Sequence, residues 1–264
     1  MTRTSPALTA LVAALALCLV PAGTLGATPS TPPATAPATA PEASPTPTAS
    51  PIPFPDLTLA PLSPIVRPVD RDPAIPSDCY ALGAPDAPVT IEVYEDFQCP
   101  YCRLFTMQVE PQVTEAFVKP GTARLVFRDL PFLGEESRWA AVAGRLAAQQ
   151  GRFWQLHDYL YANQLGENVG SFTPERLMTM AQAAGLDMEP FIAGLHVPAA
   201  RALFADIQAE AMTGATALGI TATPTVVVNG LPISSPDFAS VSAAVEAALA
   251  ASAPSGPSPV PSAP

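Results

Sequence analysis

The stretch 92-EVYEDFQCPYCRLF-105 decides how the chain is read. Cys99 and Cys102 stand three apart, with Pro100 and Tyr101 between them, directly behind the run 88-PVTIEVYE-95. That run has the β-branched, alternating pattern of a strand. From Pro100 to about Val118, Leu104, Phe105, Val109, Val113 and Phe117 recur at helical spacing. Cys99 therefore falls where a strand ends and a helix begins. A helix N-terminus offers unsatisfied N–H groups and about half a positive charge, and both favour a thiolate. Cys102 lies one turn further in, less exposed and within reach of Cys99. Pro100 suits the first helical turn, where its missing N–H has no partner to lose. The spacing predicts Cys99 as nucleophile and Cys102 as resolving thiol, joined as a Cys99–Cys102 disulfide when oxidised. A static disulfide is the blander reading, but so small a loop constrains the unfolded chain little. A zinc site needs four ligands. It would have to recruit Cys79, His157 and His196, which are scattered with no second C-x-x-C.

Outward from this point, 123-ARLVFRDLP-131 reads as a second strand closed by proline. Four helical patterns follow at 135–150, 152–164, 174–184 and 188–195, the third with Thr173 as N-cap and Pro174 at the first position. A longer helix is expected over 199–218. A third strand, 224-PTVVVNG-230, ends in an Asn-Gly turn; 231-LPIS-234 can pair back as a fourth, and a helix closes the domain. The order is β-α-β, a block of helices, then β-β-α. That predicts an α/β thioredoxin fold, a four-stranded mixed sheet with helices on both faces and a helical subdomain inserted at about 135–200. In 219-GITATPTVVVNG-230, Pro224 opens a strand. Proline is tolerated there, and the Thr223–Pro224 bond is open to either isomer. A cis bond would leave the backbone of Thr223 free to pair with an extended substrate segment.

The chain ends are of another kind. Most of the 34 prolines gather there. Residues 28–76 read as a disordered Pro/Ala/Thr-rich spacer, at most roughly 150 Å long at about 3.1 Å per residue, and residues 252–264 as a disordered tail. Residues 1–27 carry one arginine, an apolar run from Leu8 to Val20, then Pro21 and small residues. This is the layout of an export signal, or of an anchor that stays uncleaved. The run is short for a span of about 20 residues. Either reading puts the domain, residues 77–251, outside the cytoplasm, where disulfides persist. The net charge of −11 excludes a nucleic-acid partner, since nothing would neutralise phosphates.

Taken together, 84-APDAPVTIEVYEDFQCPYCRLF-105, 151-GRFWQLHDYLYANQ-164, 168-NVGSFTPERL-177 and 219-GITATPTVVVNG-230 resemble the DsbA-like thiol–disulfide oxidoreductases of bacterial envelopes over about residues 80–250. The resemblance implies a thioredoxin fold with a helical insert, a catalytic pair at Cys99 and Cys102, and a cis proline at Pro224. It implies oxidation, or less often reduction or reshuffling, of cysteines in exported proteins. A membrane or small-molecule redox partner would regenerate the pair, with no metal or organic cofactor. A tethered peptide-binding or chaperone module with a static disulfide is the alternative of a different class. Pro-Tyr also separates the cysteines of reducing glutaredoxins, so the dipeptide does not set the direction.

Three departures from that family stand out. The buried acid expected six residues before the first cysteine is replaced by Val93; Glu92, Glu95 and Asp96 lie nearby, and are expected at other phases of the strand. The positions of an extra cysteine pair in the insert are Leu146 and Gly194, leaving the insert to pack around Phe153, Trp154, Leu156 and Leu160. Cys79 stands alone in the mature chain, either buried and inert or open to a link between two copies. His157 is expected to be a packed or half-exposed helical residue rather than a base near the thiols. His196 is expected at a helix junction. Trp139, Trp154 and Tyr159 are expected in the core rather than lining a substrate groove.

Overall fold

The run before the cysteines becomes the central strand of the sheet. In the computed structural model, which describes residues 64–252, this strand (β3, Val89–Glu95) pairs in parallel with β4 (Ala123–Asp129) and antiparallel with β5 (Thr225–Val228). Having neighbours on both edges, it is buried on both faces near its end, and Val93, Tyr94 and Glu95 are all inside. Strand β6 (Leu231–Pro232) folds back antiparallel on β5 across the Asn229–Gly230 turn. The four expected strands are present in the spatial order β4-β3-β5-β6.

Two further strands, β1 (Ser77–Asp78) and β2 (Ala81–Leu82), extend the sheet beyond β4 to six. Two residues each are too few to show a period, so the sequence gives no sign of them. Gly83, which follows β2 with φ +109°, cannot be replaced freely. A β-carbon there would press on Val118 and on the backbone at Ala123.

Helix α1 opens at Pro100–Leu104, widens to π geometry at Phe105–Val109, returns at Glu110–Val113 and widens again at Thr114–Val118. Pro111, in the first turn of the Glu110–Val113 stretch, donates no hydrogen bond to the preceding turn. The insert consists of α2 (Glu135–Gln149), α3 (Phe153–Ala162), α4 (Pro174–Ala183), α5 (Met188–Leu195) and the start of α6 (Val197–Leu218). Thr173 caps α4 by accepting from the Arg176 N–H, with Pro174 in the first turn as expected. Helix α6 begins two residues before the expected 199, because Pro198 belongs to its first turn. Helix α7 (Phe238–Ser252) closes the fold. No helix of the described residues is long and apolar enough to cross a membrane. The signal-or-anchor reading of residues 1–27, the spacer up to residue 63 and the tail from 253 lie outside the described residues.

The insert's core is the one expected. Phe153, Trp154, Leu156 and Leu160 are buried, and the Trp154 indole N–H donates to the Ala81 carbonyl at 3.0 Å. Tyr159 is buried and Trp139 packs against the same core. His196 joins α5 to α6. Gly194 lies so close to Leu146 that a β-carbon there would collide with the leucine side chain. The two positions without the family's cysteines are thus neighbours, and Leu146 fills the space between the helices. Leu146→Ala is expected to cost about 2–5 kcal/mol, the range for a buried leucine that leaves a cavity. A denaturant midpoint unchanged from wild type would show that the space collapses around the smaller side chain.

Residues 64–76, proline-rich and read as spacer, lie on the domain as an extended strap. Asn163 holds it at both polar groups of Val66, accepting from its N–H at 2.6 Å and donating to its carbonyl at 2.8 Å. Ile65 and Ile75 pack against the core. Just beyond the strap, Cys79 is taken up in a disulfide. That corrects the expectation of a lone cysteine open to linking two copies, which counted Cys79 as alone in a mature chain without residues 1–27.

Candidate active site

The loop from β3 into α1 is fixed by the buried carboxylate of Asp96. Its Oδ1 accepts from the Gln98 N–H at 2.8 Å and the Ser137 hydroxyl at 2.6 Å. Its Oδ2 accepts from the N–H groups of Phe132 and Leu133 at 2.9 and 3.0 Å. Asp96 therefore ties the cysteine loop to the loop after β4. Gln164, just past the end of α3, donates to the carbonyls of Phe97 and Cys99, at 2.6 and 3.1 Å. So many bonds to so few residues leave Cys99 one backbone position, that of the α1 N-cap.

Both thiols are buried and both are free. The structure thus holds the reduced pair, and the expected Cys99–Cys102 bond is absent from it. Cys99 Sγ lies 3.3 Å from the Thr223 carbonyl oxygen, and the Thr223–Pro224 bond is cis. Residues 124 positions apart in the chain are therefore brought together at the sulfur, and the cis bond is the one the resemblance implied. The Cys99 thiol is held down to about 6. The hydrogen bond from the Cys102 thiol does most of this, against burial, aided by Thr223 and by the N–H groups of Cys102 and Tyr101. Cys102 is pushed the other way, by burial first, then by its hydrogen bond with Cys99 and the charge of Glu95. One sulfur is thus a stabilised thiolate and the other a retained thiol.

A pH titration of the reduced protein is expected to show thiolate absorbance near 240 nm rising with a midpoint near 6. An unfolded thiol titrates near ~8.5, so this is a depressed group. Its contribution to the stability of the reduced form is full above the unfolded value and is lost as pH falls through 6. A midpoint above 8 would remove the stabilised thiolate.

Beneath the pair runs a chain of buried charges that the sequence reading missed. Glu95 is not at another phase of β3, as expected from the sequence, but two residues beyond Val93 and so on the same face of the strand. The period of two was the available signal. Glu95 is buried, and its Oε2 accepts from the Tyr161 hydroxyl at 2.9 Å. Burial raises its pKa, His157 opposes that rise, and Glu110 adds to it. His157 is enclosed by the rings of Phe97, Phe127, Phe153, Trp154 and Tyr161. It is thus packed, one of the two expected settings, and not half-exposed. Its Nδ1 lies 2.9 Å from Asp158 and its Nε2 lies 3.8 Å from Glu95, the latter a contact of charge rather than a hydrogen bond. Burial works to lower its pKa, but Asp158 and Glu95 outweigh burial and hold it up at about 9.

A thiol held toward its thiolate at a helix N-terminus, a buried second thiol three residues on and the Thr223 carbonyl before a cis proline are the parts of a thioredoxin-fold thiol–disulfide site. A family model described as thioredoxin matches residues 77–247. "Probable disulfide bond formation protein D" of Bacillus cereus is 31% identical over 176 residues, covering 64% of this chain and 78% of that protein. The crystal structure of oxidised BdbD from Bacillus subtilis superposes with a TM-score of 0.60 at 27% identity, covering 65% of this chain and 92% of the other. A stretch of a Na(+)/H(+) antiporter NhaA 3 from Salinispora tropica is 35% identical over 181 residues, which is 67% of this chain but 26% of that protein. The chain belongs to the thioredoxin family, and within it to the DsbA-like protein disulfide oxidoreductases.

Proposed function

We propose that this protein introduces disulfides into cysteine-containing exported proteins, working outside the cytoplasm through the motif Cys99-Pro100-Tyr101-Cys102. A substrate thiolate attacks Cys99 Sγ of the oxidised pair. The Cys99–Cys102 bond breaks, and Cys102 leaves with the electron pair and takes a proton. A second substrate thiolate attacks the substrate sulfur of the mixed disulfide and Cys99 leaves as thiolate. The substrate gains a disulfide, and its two electrons now reside in the reduced pair. A membrane protein or small oxidant accepts them to regenerate the enzyme. Thr223 and Pro224 face the nucleophile and would hold the substrate backbone during the exchange.

The observation that carries the direction is the thiolate held down to about 6 at Cys99. A stabilised thiolate stabilises the reduced state, so the oxidised pair is the more willing to give up its disulfide. Residues 1–27, with their signal-like layout, support the location.

The test is the reduction potential of the pair, equilibrated with glutathione. A value near the roughly −120 mV of strong oxidants supports a disulfide donor, and one near the roughly −270 mV of thioredoxin makes the protein a reductant. A pair that never exchanges leaves a binding module with idle cysteines.

A further inference from the structure

The strap is far from Cys99 in sequence, yet it delivers a cation to the buried charge chain. Arg71 lies over the Trp154 ring at 4.6 Å. Its Nε donates to Asp158 Oδ2 at 2.7 Å, and its Nη2 lies 2.6 Å from Glu110 Oε1. Asp158 is on α3 and Glu110 on α1, so one guanidinium neutralises carboxylates from two elements. From Asp158 the chain continues through His157 to Glu95, whose charge acts on Cys102.

We infer that the strap belongs to the redox site, with Arg71 as a positioning residue that sets the charge beneath the cysteine pair through Asp158, Glu110 and His157. The inference rests on the reading of Cys99 and Cys102 as an exchanging pair. Its physical basis is that reduction of the pair creates a thiolate, whereas the disulfide carries no charge. A buried cation therefore favours the reduced state and a buried anion the oxidised one, because charges in a poorly solvated interior are weakly screened. Glu95 is reached by both neighbours. His157 lowers its proton affinity and Glu110 raises it, and Glu110 also acts on His157 itself. Tyr161, which donates to Glu95, completes the groups facing that carboxylate.

A strap that merely staples the fold would change stability when cut and leave the redox equilibrium alone. The experiment equilibrates full-length protein with glutathione and reads the value of [GSH]²/[GSSG] at which half the pair is reduced. Arg71→Met, which removes the charge and keeps the stem, is expected to raise that value at least fivefold. Arg71→Lys, which restores the charge without the two-pronged geometry, is expected to return it to within twofold of wild type.

Glu110→Gln removes an anion from the same cluster and is expected to lower the half-point at least threefold. It decides the matter alone if Arg71→Met does not fold. Shifts of opposite sign cannot come from loosened packing. Half-points within twofold of wild type in folded Arg71→Met or in Glu110→Gln overturn the inference, as do shifts of the same sign in both. A wild-type pair that does not exchange overturns this inference and the proposed function together, whereas a wild type that exchanges with unresponsive variants overturns the inference alone.

Discussion

Cys99→Ser is expected to reduce thiol exchange to the uncatalysed background while leaving the fold in place. The hydroxyl is not a nucleophile at neutral pH, and no disulfide can form at that position. The fold should survive because the loop is held by Asp96 and Gln164 rather than by the sulfur. The sulfur bonds to the Thr223 carbonyl, the Cys102 thiol and the N–H groups of Cys102 and Tyr101, and a serine hydroxyl can donate and accept at the same place. The measurement pairs a melting curve with oxidative refolding of a reduced, cysteine-containing substrate. Activity that persists in a folded Cys99→Ser protein would take the nucleophile away from this site. The companion variant Cys102→Ser should instead accumulate a mixed disulfide when given an oxidised substrate, because Cys99 attacks the substrate disulfide, releases one substrate thiolate and lacks the neighbouring thiol that would displace the other.

Glu95→Gln is expected to slow exchange by about 10²-fold, the lower end of what a positioned acid or base contributes. In the proposed direction Cys102 leaves as a thiolate inside the protein, and burial strongly favours its protonated form. It must therefore gain a proton there. Glu95 is the carboxyl whose charge acts on Cys102, and burial keeps its proton on to higher pH than an ordinary carboxyl. Glutamine preserves the acceptor for the Tyr161 hydroxyl, so packing should change little. The sign follows from the raised pKa. Wild-type exchange should weaken as pH rises through the titration of Glu95, and the variant should lose that limb. Alkylation of Cys99 should stay within about threefold of wild type, because its thiolate is stabilised by Cys102, Thr223 and backbone N–H groups. Equal exchange rates in variant and wild type would assign the proton to another group, His157 being the next in the chain.

What could be read from the sequence was what depends on neighbours in the chain. The strand-to-helix switch at Cys99 follows from a change of hydrophobic period, from two to about 3.6, within a dozen residues. Pro100, Thr173 and Pro174 announce helix starts through backbone rules that need no tertiary contact. The facing of Leu146 and Gly194 came from comparison with a family pattern rather than from any local rule. Strands β1 and β2 were invisible because two residues cannot display a period and owe their conformation to the edge of β4.

The chain by itself determined the order of elements and the placing of two cysteines three apart at a strand-to-helix switch, because both rest on spacing along a backbone with few allowed shapes. Only the tertiary structure decided what surrounds them. Arg71 looked like part of a spacer, Glu95 like a misplaced acid and His157 like a packed or half-exposed helical residue. Each has a partner distant in sequence: Arg71 with Asp158, Glu95 with Tyr161, His157 with Glu95. The free energy of a buried charge depends on which opposite charges are folded against it and how much water is excluded. Both are properties of the packed fold that no stretch of sequence carries alone.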